Sequence, residues 1–325
     1  MDCQKKILAA AISMLFSIPL TAQVKDTSDL MNTLEKEMDA KNDTKYATAI
    51  FKTTRLVNGH SVETLGPGVM DVKISHRFGT LNTGIYELFG LDNATMRMGL
   101  DFGITPNLMV GVGRSTYQKT YDAFFKYRIL RQSSGKRNMP ITLSYVPTIA
   151  VKTVHWPDPS RKNYNSSRYY YTHQLLIARK FSSNTSLQLM PSFVHRNLAG
   201  SGGEPNDIFA IGIGGRQKLT KSISLNAEYY YQLPGHKIDT STNVLSIGVD
   251  IETGGHVFQL HFTNSIGMIE RTFIAENSGT WGNGDILFGF NISRVFNIGK
   301  KNTDRAKKPG DVNGASPSKK SEAPR

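Results

Sequence analysis

The chain has 325 residues, a formal net charge of +13, 39% hydrophobic residues and one cysteine, Cys3. A single thiol excludes a disulfide framework and a cysteine-built metal site. The mean hydropathy of −0.32, with no long apolar run after the first twenty residues, excludes a bundle of membrane-spanning helices. The positive charge leaves nucleic acid or anionic lipid as partners in principle, but no zinc-finger, basic-helix or RNA-recognition pattern supports nucleic acid.

Residues 1–22 read as a secretory signal peptide. Lys5 and Lys6 form a positive start, Ile7–Leu20 an apolar core, and Leu20-Thr-Ala22 precedes a cut before Gln23. Cleavage would remove Cys3 and leave a mature chain without cysteine. Residues 23–67 are expected to form a periplasmic leader. Within it, Asp26–Asn42 predicts a short amphipathic helix. Leu30, Leu34 and Met38 recur at i+4, Ser28 or Asp29 can cap it, and Glu35 and Glu37 oppose the apolar stripe. Thr48–Val57 is weakly strand-like, and Asn58-Gly59 and Gly66-Pro-Gly68 are turn signals. Thr48–Gly66 is therefore expected as leader or as a segment within a lumen.

From residue 68 to 298 the pattern changes to short alternating strands. In Ile141–Val151, Ile141, Leu143, Tyr145, Ile149 and Val151 share one face, and Thr142, Ser144, Thr148 and Ala150 the other. A period of two with one apolar and one polar face marks a strand. Repeated behind an export signal, it predicts an all-β, antiparallel transmembrane β-barrel of about 12 strands with a polar lumen. The strands fall at 68–79, 95–105, 108–117, 121–130, 141–153, 169–181, 186–197, 207–219, 223–233, 244–252, 256–265 and 285–296. Their connections split into a mostly tight set (such as Thr105-Pro-Asn107 and Thr253-Gly-Gly255) and a mostly long set (such as Thr80–Ala94 and Ile266–Gly284). Short periplasmic turns and long external loops are the habit of outer-membrane barrels, so both chain ends are expected in the periplasm. The triplets Tyr169-Tyr-Tyr171 and Tyr229-Tyr-Tyr231 are expected in the outer aromatic girdle. Asp285–Phe296 reads as a closing strand that outer-membrane assembly machinery would recognise. Residues 299–325 carry eight basic and three acidic residues and almost nothing apolar, and predict a disordered basic tail.

The alternation assigns Lys73, Arg77, Arg97, Asp101, Lys126, Arg128, Lys152, Arg216, Glu228, Asp250 and His261 to the lumen. Two outcomes are open for this basic set: a pore or site favouring small anionic solutes, or mutual neutralisation that fills a narrow interior. No catalytic pattern stands beside it. None of the eight histidines is followed two residues on by serine, a Gly-x-Ser-x-Gly elbow is absent, and His261 with Thr263 is an isolated inward pair. The clusters Gly111/Gly113 and Gly212/Gly214/Gly215 lack a following helix and read as strand glycines rather than a dinucleotide loop. No enzyme, metal or cofactor is expected.

Phe51–Gly79 (FKTTRLVNGHSVETLGPGVMDVKISHRFG) and Tyr86–Gln132 (YELFGLDNATMRMGLDFGITPNLMVGVGRSTYQKTYDAFFKYRILRQ), with the leader around Asp29–Leu34, resemble the β-barrel proteins classed as domain of unknown function family 5777 from Bacteroidetes. The resemblance runs to Phe296 and implies an outer-membrane barrel without assigning an activity. The expectation is thus an outer-membrane barrel in contact with lipid, acting as a passive channel or binder for small anionic solutes. The alternative is a structural or adhesion barrel with a closed lumen and partner-binding loops, including Trp156 and Trp281.

Overall fold

The computed structural model describes Met31, residues 43–200 and residues 203–299. The expected signal peptide, the leader helix apart from Met31, and the basic tail beyond Gly299 lie outside the described residues.

Among the described residues fourteen strands follow one another. They begin with β1 (Thr44–Tyr46), β2 (Val69–Thr80), β3 (Ala94–Gly103), β4 (Leu108–Ser115), β5 (Thr120–Leu130), β6 (Ser133–Gly135) and β7 (Thr142–Lys152). The chain continues with β8 (Tyr169–Lys180), β9 (Thr185–Arg196), β10 (Asp207–Lys218), β11 (Ile223–Gln232), β12 (Val244–Thr253), β13 (His256–Thr263) and β14 (Leu287–Asn297). β1 and β6 form a separate antiparallel pair, with Lys45 opposite Ser134. Neither strand was expected, because three residues are too few to show a period. The other twelve close into one antiparallel barrel. β14 completes it against β2, with Ile292 opposite Ile74 and Phe296 opposite Met70.

The wall obeys the period of two. Thr142, Ser144 and Thr148 are buried, while Ile149, Leu175, Leu187, Ile211, Ile247 and Leu260 are exposed outward on neighbouring strands. Every wall strand therefore puts its apolar face outside and satisfies its backbone laterally, the only arrangement in which strands tolerate a hydrocarbon surround. No helix among the described residues is long and apolar enough to cross a membrane.

The tight turns share one device. Thr105 Oγ1 accepts from the Leu108 amide at 3.0 Å, Ser182 Oγ from Thr185 at 3.0 Å, and Thr220 Oγ1 from Ile223 at 3.0 Å. Each hydroxyl replaces a backbone partner that the reversal removes. At Gly254-Gly255 both φ values are positive, 44° and 96°, the conformation of a two-residue hairpin that follows the strand twist.

Two expectations need correcting. The tyrosine triplets do not lie wholly in an outer girdle. Tyr171, Tyr229 and Tyr231 are exposed, but the middle members Tyr170 and Tyr230 point inward and are buried, as a two-residue period requires. Nor is the interior uniformly polar. Inward Val146, Leu176, Met190, Val194, Ile208 and Val244 are fully buried in a continuous apolar cluster.

Candidate functional site

The barrel interior is occupied by the chain itself. Residues 47–67, which precede β2, enter the lumen, and Ile50, Phe51 and residues 54–62 are buried there. The segment doubles back in a narrow hairpin: Leu56 N–H donates to Gly59 O at 2.8 Å and Ser61 N–H to Thr54 O at 3.0 Å. This is the Asn58-Gly59 turn signal of the sequence. Glycine is required at 59, since a Cβ there would overlap the Tyr230 hydroxyl.

The wall grips this plug by its main chain. The Glu228 carboxylate accepts the amides of Val57, Asn58 and Gly59 at 3.3, 2.7 and 3.1 Å. Lys126 Nζ donates to the carbonyls of Thr54, Ser61 and Glu63 at 2.9, 2.7 and 3.0 Å. One anion thus holds the turn and one cation both arms. Gln259 and Asn291 donate to the carbonyls of Leu56 and Val57, and Gln188 bonds His60 O and the Val62 amide. A buried, irregular backbone segment must find such partners or lose the cost of desolvating its polar groups.

All eleven sequence-assigned residues face the interior, and most are committed. Arg77 donates to Asn58 Oδ1 at 2.8 Å, Arg128 to Val62 O at 3.4 Å and Arg216 to Ala49 O at 3.1 Å. Lys73 lies 2.9 Å from Asp101 and 3.0 Å from Asp71, and also bonds Thr54. Arg97 is paired with Asp122 through two nitrogens. Asp250 accepts from Gln259 at 2.6 Å. Lys152 stands half-buried beside Arg168, which donates to its carbonyl at 3.1 Å. His261 is buried with no hydrogen bond to its ring, and Thr263 bonds Ser246 at 2.8 Å instead, so the two form no dyad. The strand glycines make room: a Cβ at Gly113 would strike the Arg97 guanidinium, at Gly111 Phe124, and at Gly214 Leu56.

A second insert enters from the opposite, long-loop end. After β13 the chain turns inward, and residues 268–275 are buried, with a π-helical turn at Arg271–Ala275. Arg271 lies over the Tyr170 ring at 4.2 Å and pairs with Glu276 at 2.7 Å. Phe273 meets Tyr230 edge to face at 5.1 Å, and Gln232 Nε2 donates to Ile274 O at 2.7 Å. Insert and plug meet where Glu270 accepts from Arg55 at 2.9 Å with His60 at 3.3 Å. Arg55, His60, Glu270 and Arg271 cannot be read from the sequence, because irregular backbone carries no period. Asp122 and Asp71 did carry one, sharing the inward parity of Lys126 and Lys73.

Above the insert lies a cavity of about 540 Å³, walled by the β2–β3 and β13–β14 loops. Asp285 braces its rim, accepting from the Thr280 amide at 3.0 Å and from Asn82 at 2.8 Å. Those bonds hold its carboxyl below the ordinary carboxylate range, the Thr280 amide contributing most. No group of three His, Cys, Asp or Glu suited to a metal occurs among the described residues. The expected partner residues of the loops are also engaged: Trp281 Nε1 donates to Leu245 O at 2.9 Å, and Trp156 lies 3.8 Å under Arg168.

No curated protein matches the chain. Among solved structures it is similar to the NanC porin (7% identity, 70% of this chain and 98% of that one, TM-score 0.43). It is likewise similar to the KdgM porin (8%, 70% and 99%, 0.43). The COG4313 outer membrane channel from Pseudomonas putida F1 gives 14%, 72% and 98%, with a TM-score of 0.44. Likenesses of this size carry no functional inference. A family model, in contrast, matches residues 51–296. The chain belongs to that family, the membrane-bound β-barrel domains classed as domain of unknown function 5777.

Proposed function

We propose that this protein is a closed outer-membrane barrel that presents its long loops to a partner outside the cell, not an open pore. The observation that carries the proposal is the plug: its turn is bound by Glu228 and its arms by Lys126, so the lumen is occupied at the level of both charges. The family span begins at residue 51, inside the plug, which makes the plug part of the shared domain and not an appendage to it. The basic interior supports the same conclusion. Lys73, Arg77, Arg97, Lys126 and Arg216 are spent on carboxylates, side-chain oxygens or plug carbonyls, so they are not free to line an anion path.

Planar-bilayer recording tests this. Purified protein should give no conductance steps. A Cys3-free chain carrying Asn58→Cys and Ser246→Cys, two side chains now 2.9 Å apart at their hydrogen bond, should behave identically when oxidised or reduced. Steady steps from the unmodified protein, or steps from the reduced double-cysteine chain that oxidation abolishes, would make it a channel and overturn the proposal.

A further inference from the structure

We propose that the cavity at the long-loop end is a binding site for a neutral, hydroxyl-rich ligand of the oligosaccharide class. This rests on the closed-barrel proposal, since it names what the presented loops bind. The volume of about 540 Å³ falls in the range of small-ligand sites, roughly 300–1,000 Å³. The lining is rich in hydroxyl and amide side chains, with Tyr117 as an aromatic surface and no lysine or arginine. In a chain of +13, a cavity without a cation is unsuited to anions.

Its carboxylates do not make it a cation trap either. Glu276 is neutralised by Arg271, and Asp285 is occupied by Thr280 and Asn82. Glu87 keeps one oxygen beyond the Asn93 amide it already accepts, at 2.8 Å. The hydroxyls of Thr80, Tyr117 and Ser278 line the same cavity and make no side-chain hydrogen bond among the described residues. Hydroxyl and amide groups that both donate and accept, one acidic acceptor and one ring face match the alternating donors, acceptors and C–H faces of a sugar. The inward insert supplies a floor through Ile266, Gly267 and Thr272, so a ligand would be held at the mouth and not transported.

A glycan array probed with detergent-solubilised, fluorescently labelled protein tests this, followed by titration calorimetry with the best neutral oligosaccharide and with an acidic uronate oligomer. Binding of a neutral glycan, weakened at least tenfold by Tyr117→Ala and by Asn93→Ala, is the expected result. Heat-dependent gel mobility would establish that both variants remain folded barrels. Ser278→Ala, the removal of one exposed hydroxyl, gives a milder second variant with an expected loss of a fewfold. An array without neutral hits, preference for the uronate oligomer, or binding indifferent to all three substitutions would overturn the proposal. None of these results would alter the conductance of the barrel, so the two proposals fail separately.

Discussion

The interior of this barrel has two unlike sectors. On β2, β3 and β5 the inward residues include Asp71, Lys73, Arg77, Arg97, Asp101, Asp122 and Lys126, all buried. On β7 to β12 inward Val146, Leu176, Met190, Val194, Ile208, Tyr230 and Val244 are buried, interleaved with polar groups such as Gln188 and Glu228 that also hold the plug. The charged sector acts by pairing and by donating to the plug backbone. The apolar sector acts by packing against Leu56, Val62, Phe273 and Ile274 in one cluster. A plug fixed by polar bonds alone would pay desolvation at every contact, and one fixed by packing alone could slide along the barrel. Together the sectors give depth through direction-specific bonds and retention through buried area. Interior charge in a barrel is therefore no sign of conduction until its partners are known.

The contrast can be broken most strongly in the charged sector. Arg97→Ala leaves Asp122 buried without its partner and should cost ~3–5 kcal/mol, read as a lowered urea midpoint in detergent. Arg97→Ala combined with Asp122→Ala should recover part of that loss, and a double variant as weak as the sum would deny the coupling. In the apolar sector, Leu56→Ala should cost about 2–5 kcal/mol, nearer the lower figure because the plug can resettle. Its sharper readout is faster labelling of a single cysteine placed at Asn58 in a Cys3-free chain. Labelling as slow as in the parent would mean the polar grip alone retains the plug.

The smallest effect lies outside both sectors, at the cavity rim. The folded pKa of Asp285 is depressed, so its contribution is fully present above the ordinary aspartate value, ~3.9. It is lost as pH falls through the lower folded value. Amide exchange at Thr280 should be as protected at pH 5 as at pH 7 once intrinsic rates are corrected, and should rise only below about pH 4. Loss of protection near pH 6 would assign the bracing to another group.

How far the molecule could be read from its sequence follows the same division. The wall strands announced themselves because a period of two survives each tight turn, and inward Lys126 or Arg97 follows from parity alone. Parity also places Tyr230 and Tyr170 inside, against the expectation of a girdle that treated each triplet as a block. Val146 stands between Tyr145 and Pro147 and gives no sign that it joins inward Leu176 on β8 and Met190 on β9 in one apolar cluster. The plug offered only Asn58-Gly59, since a segment held largely by side chains of distant strands, such as Lys126 and Glu228, has no local signature. The insert at Arg271–Ala275 was hidden inside what reads as one long loop.

That separation in sequence has a temporal counterpart. Asn58 is bound by Glu228, 170 residues on, and Arg55 by Glu270, 215 residues on. Contacts this remote must await the closure of long stretches of chain and belong to the slow end of folding. The plug precedes every barrel strand in the chain, yet the residues that hold it surround one space only once β14 has joined β2. The order of synthesis and the order of completion run in opposite directions in this protein.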